Sequence, residues 1–147
     1  MSALKRFSAR HPAGALNEET LRGALALARE FAGECALDST ANARLAIVVE
    51  ELVENALTYG ARPGDVDIVL ELSFASGRLS LVLEDAGATF DPRDAPEPAL
   101  PRAGDGGGVG LAMVRAWSEV VSYERRGGRN RLELRIPIDD HAQAPER

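Results

Sequence analysis

The chain is poor in the residues that carry covalent and metal chemistry. Its 147 residues include one cysteine, Cys35, and two histidines, His11 and His141. A single thiol excludes an internal disulfide, and no histidine–cysteine cluster has zinc-ligand spacing. No Ser-His-Asp set is suggested either, with His11 expected in a loop and His141 in a tail. Cys35, near a helix end, reads as a small core residue. No apolar run is long enough for a membrane span, and the cations of Met1 to Arg10 are not followed by an apolar stretch. Neither a membrane span nor a signal peptide is therefore expected, and the reading is cytoplasmic. Positive charge is also short, with 17 Lys and Arg against 23 Asp and Glu, a net charge of −6. That balance argues against nucleic acid as a partner.

What is present fits one domain, residues 1–138, with a frayed tail at 139–147. Hydrophobic residues make up 45% of the chain, enough for a core. Leu4 to Ala9 reads as a short edge strand, ended by Pro12-Ala13-Gly14. Asn17 is a candidate N-cap with Glu18 and Glu19 in the first turn, and Leu21, Leu25, Ala28 and Ala32, with Phe31 beside them, mark one face of a helix. Asp38 or Ser39 caps a second helix whose apolar stripe is Leu45, Val48, Val49, Leu52 and Ala56, with Gly60 past its end. The period then changes to two. Val66, Ile68, Leu70, Leu72 and Phe74 alternate with polar or outward residues, Ser76-Gly77 turns the chain, and Leu79, Leu81 and Leu83 point inward on a partner strand. Residues 91–107 hold four of the eight prolines and read as an irregular loop, which at that length is usually functional. A third helix is expected from about Val109 to Trp117, then a hairpin pairing Val120 to Arg125 with Arg131 to Ile136 across Gly127-Gly128. The order β-α-α-β-β-loop-α-β-β predicts an α/β two-layer sandwich, a mixed, mostly antiparallel sheet covered on one face by about three helices.

Three segments carry chemistry. In Glu50-Glu51-Leu52-Val53-Glu54-Asn55, Glu51 and Asn55 stand one helical turn apart, about 40° around the axis, and so share a face. A carboxylate and an amide so placed can accept a proton and hold a divalent cation. Alone the pair is a weak signal, because their face is expected opposite the apolar stripe, where Glu and Asn are ordinary solvated residues. Glu50 is also a candidate base, but only Glu51 has an asparagine one turn on. Asp85, in Glu84-Asp85-Ala86-Gly87, ends an apolar strand beside a glycine. A turn Asp with a turn Gly is common, yet such a carboxylate also accepts well from an exocyclic amine. The run Gly106-Gly107-Gly108-Val109-Gly110 resists an ordinary explanation. Glycine costs about 1 kcal/mol relative to alanine inside a helix, and this run leads directly into the helical periodicity of Leu111, Met113, Val114 and Trp117. Backbone N–H groups that approach an anion closely would account for it. It lacks the Lys-Ser or Lys-Thr of a phosphate-loop motif and the βαβ setting of a dinucleotide fingerprint.

Together these segments resemble the GHKL superfamily of ATP-binding domains, and the resemblance covers about residues 5 to 137. Within it, the small size is similar to the bacterial anti-sigma-factor serine/threonine kinases. Val48 to Gly60 matches the first box of that family, Glu84 to Pro92 the second, Gly107 to Val114 the third, and Tyr123 through Leu134 the closing hairpin. The resemblance implies a Bergerat-type fold that binds ATP and Mg2+. It implies Glu51 as general base, Asn55 as magnesium ligand, and Asp85 as acceptor of the adenine amine, with Gly87 allowing close approach of the ring. Gly108, Gly110 and Leu111 would present N–H groups to the phosphates, Phe90, Gly107 and Val109 complete the implied nucleotide-binding set, and residues 93–107 would form a lid. Some members carry histidine where this chain has Tyr59, so no role is carried to that position. The implied partner is an anti-sigma-factor antagonist of the STAS type, with a sigma factor as a further partner and homodimerisation as a family habit. One alternative is an ATP-binding module whose nucleotide state switches partner affinity without phosphotransfer. Another is a histidine-kinase catalytic domain, disfavoured because only His11 precedes the first box, beside a proline.

Overall fold

The computed structural model describes residues 5–11, 17–59, 68–75, 77–86 and 113–138, with 5–11, 17, 58 and 59 described by backbone alone. In chain order these form β1 (Lys5–His11), α1 (Asn17–Glu34), α2 (Ser39–Tyr59), β2 (Ile68–Ala75) and β3 (Arg78–Asp85). A helical segment at 113–117 follows, then β4 (Glu119–Arg126) and β5 (Arg129–Ile136). The strands make one five-stranded sheet in the order β1-β2-β3-β5-β4. Every pairing described is antiparallel. The edge strand β1 runs to His11, opposite Ile68, so His11 belongs to the sheet and not to a loop.

Alternation along the strands decides which sheet face is covered. Ile68, Leu70, Leu72 and Phe74 of β2, Leu79, Leu81 and Leu83 of β3, and Leu132, Leu134 and Ile136 of β5 are buried, while their neighbours are partly exposed. Register stacks them in rows across the sheet, Leu72 with Leu81 and Leu134, Phe74 with Leu79 and Ile136. Cross-strand partners share a face, so one side of the sheet is continuously apolar. It meets the buried side chains of both helices in one core that also takes in Val114. Each fully buried Leu, Ile or Phe contributes about 1.5–3 kcal/mol, which makes this layer the main source of stability.

Local signals set the helix ends. Asp38 is the cap of α2, its Oδ1 accepting from the Ala41 N–H at 2.8 Å. Helix α1 ends with Ala36 in the left-handed region at φ 53°. Leu37 N–H donates to the Ala32 carbonyl at 3.0 Å and Ala36 N–H to that of Gly33 at 3.1 Å. That is the pattern of a Schellman stop, with alanine where glycine is usual. The buried face of α1 is centred on Ala24, Ala28, Phe31, Ala32 and Cys35, with Leu21 and Leu25 on its flank. The β4–β5 hairpin turns through Gly127 at φ 62° and Gly128 at φ 78°. Two consecutive positive φ values match the mirror-image turn favoured between twisted strands, which explains the glycine pair.

Candidate functional site

Glu51 and Asn55 lie in the second half of α2, and the structure corrects where that pair faces. At about 100° per residue, Asn55 sits about 80° from the centre of the apolar stripe, Glu51 about 120° and Glu54 about 180°. The pair therefore flanks the stripe and does not oppose it. Asn55 is accordingly 8% exposed, Glu51 partly buried and Glu54 exposed.

Two electrostatic consequences follow. The Asn55 side-chain nitrogen is buried with no hydrogen-bond partner among the described residues. An unmet buried polar group costs about 1–3 kcal/mol, so its retention asks for a reason. Glu51 has its carboxyl pushed above the ordinary glutamate value, first by burial and then by the carboxylates of Glu54 and Glu50. A carboxylate so placed holds a proton more readily than a solvated glutamate does, as a general base requires.

Asp85 ends β3 on the helix-facing side of the sheet, in one row with Ile68 of β2 and Asn130 of β5. Asn130, 3% exposed, donates from Nδ2 to Asp85 Oδ1 at 3.0 Å. Tyr123 Oη and Arg125 Nη1 both donate to Asn130 Oδ1 at 2.8 Å. Asp85, Asn130, Tyr123 and Arg125 thus form a polar chain running across three strands. Asn130 and its two donors were not singled out from the sequence. The readable signal was an asparagine at an inward position of a strand whose later inward residues, Leu132, Leu134 and Ile136, are all apolar.

The structure so brings Asp85 together with Asn130, Tyr123 and Arg125, and sets Glu51 and Asn55 on the helix layer that covers the same sheet face. The expected Gly87, Phe90, Gly107, Gly108, Val109, Gly110 and Leu111 lie outside the described residues, as does the expected lid at 93–107. Just beyond them, Val114 is buried and Trp117 packs on the core, with the Arg44 guanidinium of α2 5.5 Å from its ring centroid. This contact ties the segment after the glycine run to α2.

The sequence model of one family, described as the histidine kinase-like ATPase domain, matches residues 15–136. The chain belongs to that family. Its GHKL membership agrees with the order of boxes in the sequence, and the sandwich of helices on an antiparallel sheet is the fold expected of it. A serine/threonine-protein kinase of Bordetella bronchiseptica, BtrW, is 35% identical over 94 residues, which take in 61% of this chain and 66% of that protein. The crystal structure of the RsbU and RsbW domains of Rv1364c from Mycobacterium tuberculosis superposes with a TM-score of 0.63 at 20% identity. It covers 99% of this chain and 35% of that one, and at this identity it speaks to the fold alone.

A GHKL domain is an ATP-binding domain, and the residues present fit that ligand. No cluster of three or more His, Cys, Asp or Glu able to hold a metal occurs among the described residues. Magnesium seldom needs one, since it is usually held by one or two protein groups together with phosphate oxygens and water. The Asn55 amide, whose nitrogen has no partner among the described residues, suits such a single contact. Its oxygen and nitrogen exchange places by rotation about the last side-chain bond, so it can offer an acceptor to a cation or a donor to a phosphate. No helix among the described residues is long and apolar enough to cross a membrane.

Proposed function

We propose that this GHKL domain is an ATP-dependent serine/threonine protein kinase of the anti-sigma type, and that its substrate is a STAS-type anti-sigma-factor antagonist. The Glu51–Asn55 pair carries it, a partly buried carboxylate with raised proton affinity one turn from an amide whose buried nitrogen has no partner among the described residues. A domain that only bound nucleotide would need the amide and Asp85 but would have no use for a base. The name of the Bordetella relative supports the same reading.

In this proposal Asp85 accepts from the adenine amine while Asn130 holds its other side. Backbone N–H groups at Gly108, Gly110 and Leu111 would meet the phosphates, with Gly107 and Val109 completing that segment and Gly87 and Phe90 assigned to the base by the family resemblance. Asn55 would hold Mg2+, which would offset the charge of the triphosphate. Glu51 takes the proton of the partner's serine or threonine hydroxyl as its oxygen bonds to the γ-phosphorus and the bond to ADP breaks. Phosphoryl transfer has a loose transition state, so positioning and charge compensation account for most of the rate. The base adds about 10²–10⁴.

Glu51→Gln keeps the size and the hydrogen bonding of the side chain and removes the basic carboxylate. The variant should bind Mg-ATP nearly as the parent does while transfer to the antagonist falls by about 10²–10⁴. Equal transfer rates in the two proteins would remove Glu51 from the chemistry. If neither protein transfers phosphate yet ATP changes partner affinity, the domain is a binding switch.

A further inference from the structure

The chain of hydrogen bonds behind Asp85 has a direction. Arg125 is a donor only, so the Asn130 atom 2.8 Å from its Nη1 must be the amide oxygen. Tyr123 donates to the same oxygen at 2.8 Å. The opposite atom, 3.0 Å from Asp85, is then the NH2, facing a carboxylate that accepts. Turning the amide over would set N–H against guanidinium and carbonyl against carboxylate. At 3% exposure water cannot repair those contacts. Strand register builds the arrangement, since Asn130 lies directly across from Asp85 on one side and Arg125 on the other.

We infer that Asn130, anchored by Tyr123 and Arg125, is a positioning residue that fixes Asp85 as a hydrogen-bond acceptor and so selects a purine with a 6-amino group over one with a 6-oxo group, an inference that rests on the reading of Asp85 as the base acceptor. An ionised carboxylate has about four lone-pair sites, so the bond from Asn130 does not exhaust it. A 6-amino group supplies the donor it requires, whereas a 6-oxo group brings a second acceptor against it. The anchors matter because a free amide can turn its carbonyl to Asp85. A carbonyl so turned repels the carboxylate and displaces it from the position in which it rejects an oxo group. Fixing the amide from behind closes that route. A site built on directed hydrogen bonds discriminates by leaving the wrong ligand's polar groups unpaired.

The test compares ATP with inosine triphosphate, which differs at the 6 position, by calorimetric titration. The parent should prefer ATP. In the double variant Tyr123→Phe, Arg125→Met the ATP-to-ITP preference should fall about 10-fold, the scale of one hydrogen bond. Tyr123→Phe alone, with the arginine in place, should stay within about 3-fold of the parent. A packing defect would weaken both nucleotides together and leave their ratio unchanged, so an unchanged ratio in the folded double variant overturns the inference. Arg125→Met alone, at an exposed position, carries the same test if the double variant does not fold. Asp85→Ala separates the two levels. If it leaves the parent's preference intact, the base-acceptor reading fails; if it abolishes the preference while the anchor variants keep theirs, only the positioning role fails.

Discussion

Replacing Asn55 by leucine should stabilise the empty protein and destroy its response to nucleotide. By helix angle the side chain falls on the flank of the α2 stripe, and its nitrogen is buried with no partner among the described residues. Removing an unmet buried donor recovers about 1–3 kcal/mol, and leucine is also the better helix former by a few tenths of that. For a chain near 150 residues, 1 kcal/mol shifts Tm by about 2–4 °C, so the variant should melt roughly 2–12 °C above the parent without ligand. Mg-ATP at about 100 times Kd should then raise the parent by about 2.7 kcal/mol and leave the variant unmoved. Scanning calorimetry of both proteins, with and without Mg-ATP, reads all four states. A variant that melts below the parent when empty, or that gains as much from Mg-ATP, would refute the assignment of Asn55.

Three further outcomes are expected. Asp85→Ala should weaken ATP binding about 10- to 150-fold by titration calorimetry, with circular dichroism showing a retained fold. Glu51→Gln should melt above the parent at neutral pH and level with it in acid. The folded Glu51 holds its proton more tightly than an unfolded glutamate of ordinary value 4.5, so its contribution to stability is lost as pH rises from there through the raised folded value. Thermal melts from about pH 4 to 8 should show the gap opening over that window. Ala36→Gly should stabilise the protein by about 0.5–1 kcal/mol in urea titrations, because glycine adopts the left-handed conformation without the Cβ penalty.

Much of the scaffold is legible in the sequence. Strand alternation from Ile68 to Phe74 and from Leu79 to Leu83 named the buried face correctly because period-two patterning and burial are the same geometric fact. The glycine pair 127–128 placed the last hairpin for a similarly local reason. On α2 the spacing correctly puts Glu51 and Asn55 on one face, but that face is expected opposite the apolar stripe, whereas Asn55 stands only about 20° from Val48 around the axis. Asn130 was missed for a different reason. Its meaning depends on Asp85, forty-five positions away in sequence and directly opposite in the sheet. No local pattern records that pairing. Three boxes in order pointed to the family, which the match over residues 15–136 then showed.

Phosphotransfer is read most directly from the intact mass of the antagonist partner after incubation with this protein and Mg-ATP. The partner should gain one phosphoryl group on a serine or threonine, and that gain should be lost when Glu51→Gln replaces the parent. An antagonist of unchanged mass, bound more or less tightly according to the nucleotide present, would contradict it.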